Sequence, residues 1–351
     1  MTPISVCMIA KNEEKYLAKC LGLLRPHFDE LIITDTGSTD DTVMIAKDFT
    51  DKVFDFKWVD DFSAARNFSI EQASNNWILV VDCDEFLEEI DIAGIQKMMA
   101  QNPQGIGMII RNNPYGGEGK PKSIMTERVA RLFDRRFHHY QGIIHEQVKP
   151  LDGSEPQYFH IPISFYHEGY VTPETAGKKA QRNLDLLLID LEKNGPDPYT
   201  YFQIGQSYTA LKQSEEACHF YGLALEFDLN PKHEYVRTMV ESYGYALLEL
   251  KRYTEALQFE NIYEEFATRA DFSFLMGLIY MNNALFDQAI TEFTKATTMK
   301  EYAVAGVNSF SAYYNIGVIY ECTGNLDKAR EYYRKCGDYA PAITRMQSIL
   351  A

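Results

Sequence analysis

From about residue 198 onward the chain repeats itself, and that repetition sharply limits the folds open to it. Aligned on Gly205, Gly244, Gly277 and Gly317, which lie 39, 33 and 40 residues apart, the segments come into register at other positions too. Three residues on stand Tyr208, Leu247, Tyr280 and Tyr320. Twelve on stand Ala217, Ala256, Ala289 and Ala329, and sixteen on Tyr221, Glu260, Phe293 and Tyr333. Small residues recur where paired helices approach and large ones where they interlock, and Pro341 closes the fourth unit. A single such unit cannot cover its own apolar face, so units stack. The prediction is an all-α solenoid of about four helical pairs over residues 198–351, preceded by a helical linker at 173–197.

Residues 1–172 follow a different grammar. Short β-rich runs (4–9, 31–34, 53–58 and 77–81) alternate with helical stretches, among them 64–73 and a helix after "DTGSTDDT" capped by Ser38, Thr39 or Asp40. Strand–helix alternation predicts a mainly parallel sheet covered by helices, with ligands beyond the carboxyl ends of its strands. Polar clusters fall there: Lys11-Asn12-Glu13, Asp35-Thr36-Gly37-Ser38 and Asp82 to Glu85. The last, in "VVDCDE", puts three carboxylates straight after an apolar strand. It reads either as an acidic turn or as a site where Asp82, Asp84 and Glu85 surround a hard divalent cation such as Mg2+ or Mn2+.

Composition narrows the function. With 351 residues, 46% of them hydrophobic, there is core enough for one large domain or two ordinary ones. A net charge of −16 argues against a general nucleic-acid binder, which needs a basic surface. The six cysteines show no Cys-x-x-Cys pair and no zinc spacing, as expected of reduced thiols in the cytoplasm. No signal peptide and no membrane span are expected, because the apolar start meets Lys11-Asn12-Glu13-Glu14 early and no run reaches the roughly 20 residues required.

In order, the blocks "SVCMIAKNEEKYLAKCL", "LIITDTGSTDDT", "DFSAARNFSI" and "WILVVDCDEFL" resemble family 2 glycosyltransferases of the GT-A fold, over roughly residues 3–170. The helical units resemble tetratricopeptide repeats. Together with "RVARLFDRRFHHYQGIIHEQV" and "FYHEGY", they make the chain similar to the sublancin-type peptide S-glycosyltransferase subgroup. The resemblance implies an α/β GT-A (Rossmann-like) domain over 1–172. It implies an inverting, metal-dependent transfer of a hexose or N-acetylhexosamine from a UDP-sugar to a Cys, Ser or Thr side chain of a peptide or protein, with a bacteriocin-type peptide favoured. A cell-surface or lipid-linked glycan acceptor, and a non-catalytic repeat scaffold, are the alternatives. No Gln-x-x-Arg-Trp block is present, which argues against a processive membrane polymerase.

The resemblance also assigns roles. Ala10, Asn12 and Glu13 would line the nucleotide pocket, and Asp35 would take the uracil N3–H, unless it only caps the following helix. Arg66-Asn67 correspond to the family's base-contacting pair. Asp82 would touch the ribose or a metal-bound water. Asp84 would hold Mg2+ or Mn2+ on the diphosphate, with His167 completing the shell. Arg128 and Arg131 would clamp the diphosphate, whereas Arg135-Arg136 read as surface charges. A base near the attacking atom is needed for inversion, and Glu146, oriented by His145, is the candidate. The repeats would recruit the acceptor peptide or pair two subunits as a homodimer; a third reading leaves them as a buttress.

Overall fold

The computed structural model describes residues 3–115, 123–168 and 173–350. Two stretches singled out above fall partly outside them: the segment 105–130, expected to shape the sugar pocket, loses 116–122, and "HEGY" loses Gly169-Tyr170. The chain divides into two compact units, Met1–Ala176 and Gly177–Ala351.

In the first unit the order is β1 (Ile4–Ala10), α1 (Leu17–Leu24), β2 (Glu30–Asp35), α2 (Thr42–Lys47), β3 (Val53–Asp55), α3 (Phe62–Glu71), β4 (Trp77–Val80), β5 (Glu85–Ile90), α4 (Ile92–Gln101), β6 (Ile106–Tyr115), β7 (Ser123–Asp134), β8 (His138–Gln141), β9 (Gln147–Pro150) and β10 (Tyr158–His167). Among the described residues the main sheet runs β3-β2-β1-β4-β7-β6-β10-β5, with β8 and β9 forming a separate hairpin. β1 pairs in parallel with β2 and β4, β2 with β3, and β6 with β10, while β7 runs antiparallel to β4 and β6.

Alternation along β1 sets the layers. Ile4, Val6, Met8 and Ala10 face the core that holds Leu17, Cys20, Leu21 and Leu24 of α1, and Cys7 faces the opposite core with Ile70 and Ala73. Both faces of the strand are thus covered, which is why it reads as a continuous apolar run. Each fully buried leucine of α1 contributes about 1.5–3 kcal/mol. Helix α3 starts where the Asp61 carboxylate accepts the Ala64 N–H at 2.9 Å, a cap worth about 1 kcal/mol.

Two local expectations change. Helix α2 has Asp41 at its cap position with no side-chain bond, and it is Asp40 that accepts the Thr42 N–H. The third strand stops at Asp55 rather than at 58, because the chain turns through Asp60, which takes a left-handed φ of 58° and accepts the Trp58 indole N–H.

The second unit begins within α5 (Pro173–Asn194) and continues through α6 (Pro198–Ala210), α7 (Ser214–Ala224), α8 (Glu234–Glu249), α9 (Tyr253–Ala256), a 3-10 segment (Leu257–Ile262), α10 (Tyr263–Phe266), α11 (Ala270–Asn282), α12 (Phe286–Thr298), α13 (Phe310–Cys322), α14 (Leu326–Lys335) and α15 (Ala340–Leu350). The aligned glycines lie where helices touch. A Cβ at Gly205, Gly277 or Gly317 would come within 2.4–2.6 Å of the buried rings of Tyr221, Phe293 and Tyr333, the residues sixteen positions on. Gly244 departs from this: its neighbour is Leu275 of the next unit, while Glu260 is exposed and Phe259 is buried instead. The broken α9–α10 segment explains the shift, since the 3-10 turn re-phases which residue points inward. Helix α11 is apolar nearly all round and contributes to two adjacent cores. None of the described helices is long and apolar enough to cross a membrane.

Candidate active site

The loops after β1 and β2 are braced against one another. Asn12 takes a left-handed φ of 57°, its Oδ1 accepts the Thr39 N–H at 2.8 Å and its own N–H donates to Ser38 Oγ at 2.9 Å. The Glu13 N–H donates to Thr42 Oγ1 at 2.7 Å. Asp35 is buried and accepts the Gly37 and Ser38 N–H groups, both at 3.0 Å, in a turn that Gly37 enters at a φ of 104°. Ala10 ends β1 buried, its carbonyl accepting both the N–H and the hydroxyl of Thr36. Asn12 and Asp35 therefore shape these loops, whatever ligand they meet.

The half-buried Glu13 carboxyl is pushed up to about 7, first by burial and then by the negative charges of Asp84, Asp82 and Asp40. Crowding of carboxylates is thus real at Glu13. At "DCDE" the expectation changes, because arginines rather than a cation answer two of the three charges. Glu85, fully buried, does not face solvent at all: its Oε1 takes Arg131 and Arg111, each at 3.2 Å, and its Oε2 accepts the Asp82 N–H at 3.0 Å. Asp82 lies between Arg66, at 2.9 Å, and Arg131. Burial opposes its charge, but the Arg131 and Arg66 guanidiniums outweigh burial and hold the carboxyl well below the usual range.

Arg131 consequently corrects the clamp expectation. It is buried and bonded to Asp82 and Glu85, so it holds the loop from beneath rather than reaching a diphosphate. Arg128 is exposed on β7, and Arg136 pairs with Asp134 at 2.6 Å. Asn67 is a second correction. Its Nδ2 donates to the Tyr140 carbonyl at 2.8 Å and its Oδ1 accepts the Tyr140 N–H at 2.9 Å, fastening α3 to β8. Arg66 is buried, with Nε on Glu146 at 2.6 Å. His145 is exposed on the same loop as Glu146, at a left-handed φ of 54° that is uncommon for a residue other than glycine.

Asp84 and His167 come together from separate strands, Oδ2 to Nε2 at 3.2 Å, with side chains 32% and 25% exposed. The Glu168 N–H bonds the Asp84 carbonyl at 3.0 Å and anchors the end of β10 to this loop. Among the described residues, no group of three or more His, Cys, Asp and Glu side chains forms a ready-made metal cage. Two cis ligands of an octahedral ion held at about 2.1 Å stand about 3 Å apart, and Mg2+ usually takes one or two protein ligands beside substrate phosphates. The Asp84–His167 pair fits that mode.

The sequence reading missed Arg111, Asn113 and Glu127. Arg111 Nε meets Glu127 Oε1 at 2.8 Å, and Asn113 Nδ2 meets the same oxygen at 2.6 Å. Arg111 and Glu127 are direct cross-strand partners on β6 and β7. An arginine and an asparagine two residues apart after the apolar "IGMII" was the available signal. With these included, one bonded series runs Glu146–Arg66–Asp82–Arg131–Glu85–Arg111–Glu127–Asn113–His167–Asp84.

Comparison with known proteins gives matches in both units. Residues 5–151 match the glycosyl transferase family 2 model, and residues 198–231, 270–302 and 310–343 match the tetratricopeptide repeat model. The re-phased second helical pair lies outside the repeat matches. The chain is 34% identical over 225 residues to the SPbeta prophage-derived glycosyltransferase SunS of Bacillus subtilis (strain 168), covering 62% of this chain and 52% of that protein. A TPR repeat-containing protein of Synechococcus elongatus is 34% identical over 166 residues, 45% of this chain and 39% of that one. The lipopolysaccharide core biosynthesis glycosyltransferase LpsC of Rhizobium meliloti (strain 1021) is 28% identical over 156 residues, 42% of this chain and 57% of its own. The chain spans about half the length of these curated relatives. Residues 5–151 are a glycosyltransferase family 2 domain, and the same chain continues into tetratricopeptide repeats.

Proposed function

We propose that this protein transfers a hexose or N-acetylhexosamine, with inversion, from a UDP-sugar to a Cys, Ser or Thr side chain of a peptide or protein. The observation that carries the reading is the Asp84–His167 pair, an oxygen and a nitrogen 3.2 Å apart beside the carboxyl ends of β4 and β10, the side of such a sheet on which ligands bind. In this reading Asp84 and His167 would hold Mg2+ or Mn2+, and such an ion would supply Lewis-acid neutralisation of the diphosphate's charge. Asp82, fixed by two arginines, presents its outer edge to the ribose. Ala10, Asn12, Glu13 and Asp35 form the floor and rim toward the base. Glu146 has Oε1 on Arg66, so its other oxygen would take the acceptor proton, with His145 above it at the loop surface. A thiol, with an ordinary pKa of about 8.5, needs less of that help than a hydroxyl.

The repeats support a protein acceptor, since stacked helical pairs offer an extended surface to a peptide segment. The match to LpsC favours a second reading, in which the acceptor is a glycan. The deciding experiment incubates the protein with candidate peptides from its own operon and a panel of UDP-sugars, read by intact and fragment mass spectrometry. A hexose or N-acetylhexosamine increment on a Cys, Ser or Thr, lost in Asp84→Ala and in excess EDTA, is expected. Modification that survives both would refute the cation role. Transfer to glycans alone would establish the second reading, and neither transfer nor donor hydrolysis would leave a scaffold.

A further inference from the structure

We infer that Asn113 is a positioning residue that fixes the ring tautomer of His167, so that a bare Nε2 lone pair faces Asp84. This role rests on the cation function given to His167 and Asp84 above, and hydrogen-bond polarity defines it. Glu127 accepts from Arg111 Nε and from Asn113 Nδ2 on a single oxygen, Oε1. A carboxylate can only accept, so the amide nitrogen of Asn113 must be the atom that faces it. Burial opposes the Glu127 charge, but the bonds from Arg111 and Asn113 hold its carboxyl below the ordinary value, and it stays an acceptor.

The orientation of Asn113 then settles its other side. Oδ1, which has no proton to give, lies 2.7 Å from His167 Nδ1. His167 must therefore donate from Nδ1. In a neutral ring only one nitrogen carries hydrogen, which leaves Nε2 an acceptor pointed at Asp84 Oδ2, another acceptor, 3.2 Å away. Two lone pairs at that distance repel unless a positive charge lies between them. Without Asn113, the lower-energy arrangement would put hydrogen on Nε2 and donate it to Asp84, closing the pair to a cation. Arg111 sets Glu127, Glu127 sets Asn113, and Asn113 holds the imidazole open. This is the outer-sphere logic by which ligating histidines are kept in the right tautomer.

The test uses the full-length, metal-free protein labelled with 15N-histidine. Long-range 1H–15N correlations are recorded near pH 8, above the ordinary histidine pKa of about 6.5, with His167→Gln assigning the signal. The wild type should show the Nδ1–H form of His167, and Asn113→Ala should show mainly Nε2–H. The double variant Asn113→Asp with Glu127→Gln reverses the polarity of the inner bond while leaving an acceptor for Nδ1–H, and it should restore the wild-type signal. Mn2+ affinity, followed by electron paramagnetic resonance of the free ion, should fall about 10–100-fold in Asn113→Ala and recover in the double variant. An Nε2–H signal in the wild type, or an unchanged tautomer in Asn113→Ala, would overturn the inference. The predicted tautomers in a wild type that binds no Mn2+ would uphold it and overturn the cation reading instead.

Discussion

Replacing Arg131 by Met removes one guanidinium from between two carboxylates and leaves a methionine of similar length. Arg131 is 6% exposed, Glu85 is fully buried, and Asp82 is shared with Arg66. Deleting one partner of a buried ion pair costs about 3–5 kcal/mol, because the survivor is left charged and unmatched. Here both survivors keep a partner: Glu85 retains Arg111 and the Asp82 N–H, and Asp82 retains Arg66. The lower end, about 3 kcal/mol, is therefore the expected loss. Glu85→Gln alone should cost about 2 kcal/mol, while the double variant removes one charge of each sign and should lose about 3 rather than 5. The coupling of about 2 kcal/mol is what contacting residues of one network show. Urea unfolding followed by tryptophan fluorescence isolates the relevant unit, since the chain's two tryptophans, Trp58 and Trp77, both lie in the first. If Arg131→Met fails to fold, Arg131→Lys keeps the charge, loses the bidentate fork and should sit between the two. Additive losses, or a loss below about 1 kcal/mol, would refute the coupled network.

Three further outcomes are expected. Glu146→Gln should slow transfer about 10²–10⁴-fold, less for a cysteine than for a serine acceptor, with UDP-sugar affinity hardly changed in calorimetry; a loss confined to donor binding would move Glu146 out of the base role. The folded Glu13 carboxyl titrates near 7, above its unfolded value, so its contribution to stability is fully present below about 4.5 and is lost as pH rises through about 7. Glu13→Gln should accordingly gain on the wild type by roughly 1–2 kcal/mol between those limits in EDTA, a figure that allows for partial exposure, and a pH-independent difference would contradict it. Gly277→Ala places a Cβ 2.6 Å from the buried Phe293 ring and should lower the helical melting transition by about 1–3 kcal/mol, whereas Gly222→Ala, with nothing within 4 Å, should be neutral or slightly stabilising.

What the sequence made legible was periodicity and the ends of strands. The apolar run of β1 and the register of Gly205, Gly277 and Gly317 with the large residue sixteen positions on come from local geometry, and they reappear in the structure at the same residues. The resemblance paired Asp84 with His167 across 83 positions, and the fold brings their side chains within 3.2 Å. What could not be read was which charges would cancel. Glu85 looked like a third acidic ligand, and only the return of β6 and β7 beside β4 and β10 brings Arg111 and Arg131 to it. Asn67 looked like a base contact for the same reason: its true partner, the Tyr140 backbone, lies 73 residues on. The shift from Glu260 to Phe259 was likewise invisible, since a 3-10 turn changes phase without leaving a glycine or proline behind.

Helix α11 has a consequence for how this chain can be made and cut. It is apolar on nearly every side because one core covers it from the α8 direction and another from the α12–α13 direction. A ribosome delivers those covers at different times: α6 to α9 are already outside when α11 emerges, but α12 and α13 are still to come. For that interval "FSFLMGLIYM" has a bare side, a natural binding site for chaperones and a seed for aggregation. The same asymmetry governs dissection of the gene. A boundary placed anywhere between α11 and α13 strands that helix, so soluble fragments should carry the whole second unit from α5 onward or none of it.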